Sequence, residues 1–532
     1  MSRENKKDCR TVFICFSEEV FTIRRTVWYN IANNLKNTTE RKVNVMNRGT
    51  MKKMFALVLT GAMAVSLAAC GLPGTGKSAG GDAAGRPGAA ELPKDSTIDA
   101  SVSFAEAHDA FRTTLVREEN DDYPIPAPPE GVFDLVSFPS KVGELAAYVS
   151  SDPGDGEKHP MIIWIVGGWG NGIDDFPWVY PERDDDQTGS AFWQSGILTM
   201  YPSFRGGNGN PGCYEALFGE VDDIVSAYEY AASLPYVDTD RIYLGGHSTG
   251  GTRALLASEY TDKFRAVFCF GAVDEIKYHN NSQFTFDTDN VDEHVMRSPI
   301  YWLDNVKSPT FLVEGRDGNS ENLERIQEVS ENDNIHCYVI DGEDHFSVLA
   351  PATRLIAEKI LEDTGDVPAI TITQEELEAA MEQELPAPVP VMTGQYLDGI
   401  GVTFLSPYLW ELTENEEGGL QMFSRYEEEN AWDMSALYID LYSVNEDYNL
   451  DDFAKDMADT GYRVEEISVD GHRAMDAVIT FEDEELDYYR RYVSIETDFG
   501  TMDFNFVTFG EFMDEADVLF QNVIDSIRFD AQ

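Results

Sequence analysis

The stretch Arg241-Ile242-Tyr243-Leu244-Gly245-Gly246-His247-Ser248-Thr249-Gly250-Gly251 limits this chain to very few architectures. Residues 242–244 predict a short buried strand, and residues 252–258 predict a helix. Between them, Gly246-His247-Ser248-Thr249-Gly250 fits G-x-S-x-G, the pattern of a serine raised on a tight strand-to-helix bend. The glycines permit the bend and let the helix pack close to the strand. The bend lifts the Ser248 hydroxyl above a sheet, and the helix N-terminus turns its partial positive charge toward it. A glycine-rich turn around an ordinary serine needs neither flanking element, so the context favours a nucleophile.

The surrounding sequence supplies the sheet. Residues 161–166 form a continuous apolar run, as a strand buried on both faces requires. Further strands are expected at 197–201, 266–270, 310–314 and 336–340, with helices at 104–117, 220–233 and 320–331. A hairpin is expected from 132–138 and 144–149. Regular β/α alternation predicts an α/β fold with a doubly wound, mainly parallel sheet.

Two loops fall at strand ends, where open α/β sheets place their ligands. Gly167-Gly168-Trp169-Gly170-Asn171 can turn a backbone N–H into the site. The Trp169 N–H, with the Thr249 N–H after the serine, is the expected oxyanion pair. Asp341-Gly342-Glu343-Asp344-His345-Phe346 follows the last strand and offers His345 as base, in the chain order serine, acid, histidine. The acid is expected in Glu314-Gly315-Arg316-Asp317-Gly318-Asn319. Asp317 is the first choice, and Glu314 and Asp274 are the alternatives. Such a carboxylate would hold His345 in the tautomer that accepts the Ser248 proton.

Together these segments resemble the catalytic domain of the prolyl oligopeptidase family, within the α/β-hydrolase fold. The resemblance rests on Tyr201-Pro202-Ser203-Phe204-Arg205-Gly206-Gly207-Asn208-Gly209, Gly219-Glu220-Val221-Asp222-Asp223, residues 237–242, Gly246 to Gly251, and Asp344-His345. It implies Ser248 as nucleophile, Asp317 as acid and His345 as base. Three departures stand out. Val166 occupies the place of the family's usual histidine or tyrosine, so a side-chain oxyanion donor is lost. The acid loop is one residue short. Residues 71–100 are too few for a β-propeller, so no propeller filters substrates by size, and small esters or short peptides are expected to enter. No cofactor and no metal is implied. The acidic runs at 184–186 and 287–290 lack the glycine and terminal glutamate of a calcium loop.

The rest of the chain is read around that domain, assigned to 100–365. The formal charge is −57, from 96 Asp and Glu against 39 Lys and Arg. A nucleic-acid partner needs a basic face and is excluded. Residues 51–70 combine a basic start, an apolar stretch too short for a comfortable span, and Leu67-Ala68-Ala69-Cys70. That pattern resembles a bacterial lipoprotein signal, with Cys70 lipidated and the enzyme tethered to the membrane outside the cytoplasm. Residues 1–50 are expected to be a mis-called extension, and 71–99 a flexible linker. The G-x-x-x-x-G-K-S match at 71–78 lacks the strand and helix that phosphate binding needs. Residues 366–394 read as a short helix and a proline-rich linker, and 395–532 as a smaller α+β domain with an antiparallel sheet, similar to the PsbP/Mog1-like sandwich. The contrasting expectation is a catalytically silent binding lipoprotein built on the same folds. Oligomeric state is not legible.

Overall fold

The computed structural model describes residues 88–529, apart from 130, 179–184, 279–282, 384, 386–390, 398–400, 408–409, 415–419, 424–435, 444–448, 482–487, 498–499 and 510–512. The N-terminal extension, the signal with Cys70, the 71–78 loop and most of the linker lie outside the described residues. No helix of the described residues is long and apolar enough to cross a membrane.

The first elements are α1 (Phe104–Ala110), β1 (Phe133–Ser140), β2 (Gly143–Ser150), β3 (His159–Ile165), α2 (Ser190–Gln194) and β4 (Leu198–Pro202). They are followed by α3 (Glu220–Ser233), β5 (Val237–His247), α4 (Thr249–Tyr260), β6 (Val267–Phe270) and α5 (Val291–Val295). The domain continues with β7 (Thr310–Gly315), α6 (Ser320–Val329), β8 (Ile335–Ile340), α7 (Leu349–Glu362) and α8 (Gln374–Met381). One eight-stranded sheet runs in the order β1-β2-β4-β3-β5-β6-β7-β8. β2 is antiparallel to both β1 and β4, and from β4 to β8 every pairing is parallel. This is the α/β-hydrolase architecture.

Helices cover both faces, so the central strands are apolar throughout. β3 and β5 send Met161, Ile163, Ile242 and Leu244 into one core, shared with α3 and α4. Ile162, Trp164 and Tyr243 enter the other, shared with α7 and α8. α3 begins with Glu220, Asp222 and Asp223, acidic residues where the helix dipole favours them.

α1 is shorter than its apolar spacing suggests. Ser103 and Glu106 form a capping box at its start, but the helix ends at Ala110 and Phe111 is already extended. Phe111 then packs edge-on against Phe218, and Leu115 bridges to Phe286. Tertiary contacts partly cover Phe111 and Leu115 from an extended chain, so their spacing did not report a helix.

The C-terminal part holds β9 (Met392–Leu397), β10 (Val402–Pro407), β11 (Glu411–Glu414), β12 (Leu420–Phe423), β13 (Ala436–Ser443), α9 (Leu450–Asp459), β14 (Arg463–Val469), β15 (His472–Phe481), β16 (Tyr488–Thr497), β17 (Gly500–Phe509), α10 (Met513–Ser526) and β18 (Arg528–Phe529). A seven-stranded antiparallel sheet has the order β11-β12-β13-β17-β16-β15-β14, and β18, β10 and β9 form a second, small one. Alternation along β17 puts Met502, Phe504 and Phe506 on the face that packs against Phe520, Val523 and Ile524 of α10. Ala477 and Met475 of β15 face the other way, toward Leu450 and Phe453 of α9.

Candidate active site

Backbone crowding makes the bend at Ser248. Ser248 has φ 57° and ψ −119°, a conformation that costs a non-glycine residue energy and persists only where the surroundings enforce it. A Cβ at Gly246 would press on the Gly250 backbone and the Ile165 carbonyl; one at Gly250 would strike Ile165, and one at Gly251 the Phe270 carbonyl. All three positions therefore need glycine, which explains the motif sterically. The Ser248 N–H is fixed by the Phe270 carbonyl at 2.8 Å.

His345 reaches the same sheet edge from the loop after β8. Its ring lies against Gly271, the residue that follows Phe270, so closely that a Cβ at 271 would overlap it. Ser248 and His345 are thus brought together around the end of β6. Among the described residues no hydrogen bond joins the Ser248 hydroxyl to the ring. Such contacts are often long without substrate and tighten in the productive complex.

The acid is where the structure departs from the first choice. His345 Nδ1 donates to Glu314 Oε2 at 2.9 Å, and Glu314 is fully buried. Its other oxygen accepts the Gly315 N–H at 2.9 Å. Asp317 is exposed on the following turn, where its backbone N–H bonds the Glu343 carbonyl. Asp274 is buried at the end of β6 but faces Arg325, 2.8 Å away. The physical reason is reach. β7 continues through Gly315, and the loop after it is short. A glutamate at the strand end, one methylene longer than aspartate, spans the distance a longer loop would otherwise cover.

Of the expected oxyanion donors, Thr249 follows Ser248 directly and Trp169 belongs to the loop that Thr249 holds. The Thr249 N–H heads α4, where no carbonyl of the helix can satisfy it. The Thr249 hydroxyl donates to the Gly168 carbonyl, which ties the glycine loop to the nucleophile helix. Gly167 approaches Ser248 Cβ and the His247 carbonyl closely enough that only hydrogen fits comfortably there. Trp169 packs its ring edge-on against Phe284, with centroids 5.6 Å apart.

Sequence reasoning missed the lock beneath this loop. Asn171 is buried; its Nδ2 donates to the Arg205 carbonyl at 2.8 Å and to Glu220 Oε1 at 2.9 Å. Arg253 of α4 donates to Asn171 Oδ1 at 2.9 Å. Arg205 forms a two-pronged pair with Asp223 at 2.9 Å on each contact. A signal was available: Arg205 and Asp223 both lie in motifs carrying the family resemblance, and charges this deep must be paired. Nothing comparable flagged Asn171.

Several tryptophans of this domain belong to the core. Trp178 and Trp193 pack around Phe133, and Trp302 is fully buried. Phe176, Tyr278 and Phe346 remain exposed. Asp186, in one of the acidic runs, accepts the Ser190 and Ala191 N–H groups at the start of α2. Among the described residues one set of histidine and carboxylate groups is close enough for a cation: His108, Asp109 and Asp222. The Lys141 ammonium already stands there, 2.7 Å from Asp222 and 3.5 Å from Asp109.

Among curated proteins no relative matches this chain. Similar solved structures include a Mycobacterium tuberculosis puromycin-hydrolyzing peptidase, at 20% identity over 43% of this chain and 39% of that one, with a TM-score of 0.36. A Pyrococcus horikoshii acylaminoacyl peptidase shows 18% identity over 46% and 44%, with a TM-score of 0.37. A Porphyromonas gingivalis dipeptidyl peptidase 4 shows 17% over 50% and 38%, with a TM-score of 0.35. This chain spans less than half the length of each, and likenesses at this level carry no inference about substrate. The match to a family is firmer. Residues 188–324 fit the prolyl oligopeptidase family, a segment that includes Ser248 and Glu314 and stops short of His345. The chain thus joins an α/β-hydrolase sheet to a segment, residues 188–324, that matches the prolyl oligopeptidase family of serine hydrolases.

Proposed function

We propose that Ser248, His345 and Glu314 form a catalytic triad that cleaves small esters or short peptides, in an enzyme tethered by lipid at Cys70 outside the cytoplasm. The observation that carries the triad is the 2.9 Å bond from His345 Nδ1 to buried Glu314, with the ring set against Gly271 beside the strained serine. With Nδ1 holding a proton for Glu314, Nε2 is left as the acceptor. It takes the Ser248 proton as Oγ bonds to the substrate carbonyl carbon. The Thr249 and Trp169 N–H groups receive the developing oxyanion; one such donor is typically worth about 10² to 10³ in rate. His345 then returns the proton to the leaving amine or alcohol as its bond to carbon breaks, giving an acyl-serine. Water, deprotonated by the same imidazole, then bonds to the acyl carbon; the carbon–Oγ bond breaks, His345 returns the proton to Ser248, and the acid leaves.

The family match supports peptide-bond cleavage. Tethering rests on the residue pattern ending at Cys70, where several acyl chains at about 0.8 kcal/mol per buried methylene would hold the protein firmly. The test is covalent labelling with a fluorophosphonate probe, followed by turnover of p-nitrophenyl esters and of aminoacyl and prolyl nitroanilides. Labelling should vanish in Ser248→Ala; undiminished labelling of that variant removes the assignment. Metabolic labelling with a palmitate analogue should be lost in Cys70→Ala.

A further inference from the structure

Glu314 holds the ring of His345 but not its backbone, and a second residue meets that need. His247, immediately before the serine, is almost fully buried, at 1% exposure. Its Nε2 lies 3.1 Å from the carbonyl oxygen of His345. A carbonyl can only accept, so Nε2 carries the proton and donates it. The two imidazoles are also in contact, with centroids 4.5 Å apart and planes inclined by 42°. Phe346 closes the group, its ring edge-on to His345 at 5.1 Å and to His247 at 5.6 Å.

The other nitrogen of His247, Nδ1, is buried without a partner, on the side facing Gly167. Burial, and then the neighbouring His345, pull the His247 pKa down to about 3. The ring therefore stays neutral at working pH and adds no positive charge beside a base that must itself become cationic.

We propose that His247 is a positioning residue for the base: it pins the main chain of His345 to the nucleophile bend, while Glu314 orients the ring. Serine and histidine then share one rigid frame, although they come from loops 97 residues apart (345 − 248). The inference rests on the reading of Ser248 as nucleophile and His345 as base.

His247→Phe keeps an aromatic ring and loses the donor. His247→Gln loses the ring and keeps an amide N–H near the position of Nε2. Misplacing a reacting group by about 1 Å can cost about 100-fold. His247→Phe should therefore lower kcat on a p-nitrophenyl ester about 10- to 100-fold with KM within about twofold, and His247→Gln should recover to within about fivefold of the parent. Fluorophosphonate labelling should still reach completion in both, more slowly in His247→Phe. If the phenyl ring is not accommodated, His247→Met gives the same donor-free contrast. A kcat in His247→Phe or His247→Met within twofold of the parent overturns the proposal. So does equal impairment of the donor-free variant and His247→Gln, because the hydrogen bond would then not matter. Failure of the parent to label at all would overturn the triad reading as well, which separates the two.

Discussion

Replacing Glu314 by glutamine is the most informative single change. Glutamine has nearly the same shape, so the fully buried site keeps its packing. What changes is the partner of His345 Nδ1, now 2.9 Å from a carboxylate oxygen. The Gly315 N–H, at 2.9 Å from the other oxygen, will select the amide oxygen of glutamine. That leaves the amide NH₂ facing Nδ1. An NH₂ group there favours the ring with its proton on Nε2, which cannot accept the serine proton. The negative charge that stabilises the imidazolium is lost as well. Equivalent changes in other serine hydrolases cost about 10⁴ in kcat. At 1.36 kcal/mol per decade this is about 5.4 kcal/mol of transition-state stabilisation. Asp317→Asn is the control. Its side chain is exposed and its loop is held by backbone bonds, so kcat/KM should stay within about twofold of the parent. The assay is kcat/KM on one p-nitrophenyl ester from pH 5 to 9, with labelling rate as a second readout. A loss above 100-fold in Asp317→Asn, with Glu314→Gln near the parent, would refute the assignment of the acid.

Two further outcomes follow from buried charge. Both oxygens of Glu259, on α4, are buried without a hydrogen-bond partner, and burial, with Asp304 next, raises its pKa well above the ordinary 4.5. The folded state therefore keeps a proton that the unfolded state releases. The associated stability is fully present below pH 4.5 and is lost as pH rises, by at most about 1.4 kcal/mol per pH unit. Between pH 5 and 7 the stability of Glu259→Gln should rise relative to the parent by up to about 2.7 kcal/mol in urea melts, and parallel curves would contradict this. Asn171→Ala strips partners from Arg253 and Glu220 together, so it should cost about 2–5 kcal/mol of stability and lower kcat more than it raises KM. A variant that melts earlier with unchanged kcat would show that the lock serves the fold alone.

The sheet was legible because parallel strands covered on both sides must be apolar throughout, as in Met161 to Ile165. The serine bend was legible because three glycines mark three backbone collisions. The acid was not. In a strand buried on both faces, alternation no longer separates inside from outside, so Glu314 read as a strand end and Asp317 as the loop residue. Only the register of β7 against β8, which pairs Glu314 with Val339 and Gly315 with Ile340, shows that the strand runs on. His247 and Asn171 were silent for another reason. Their roles depend on where a distant carbonyl or guanidinium lies, and no local pattern encodes that.

The segment after α7 has a consequence for where the catalytic body stops. Arg265 grips Asp363 with contacts of 2.6 and 2.7 Å and also bonds the Gly365 and Val367 carbonyls. Ile370, Ile372, Leu377 and Val391 are then built into the same core as Trp164 and Tyr243. Each such side chain is worth about 1.5–3 kcal/mol when buried, against about 5–15 kcal/mol for a whole domain. A protein cut at 365 would expose that apolar surface and forfeit much of its margin against unfolding. The catalytic core therefore draws on the chain as far as Val391, and the stretch after residue 365 buttresses the fold as well as linking it onward.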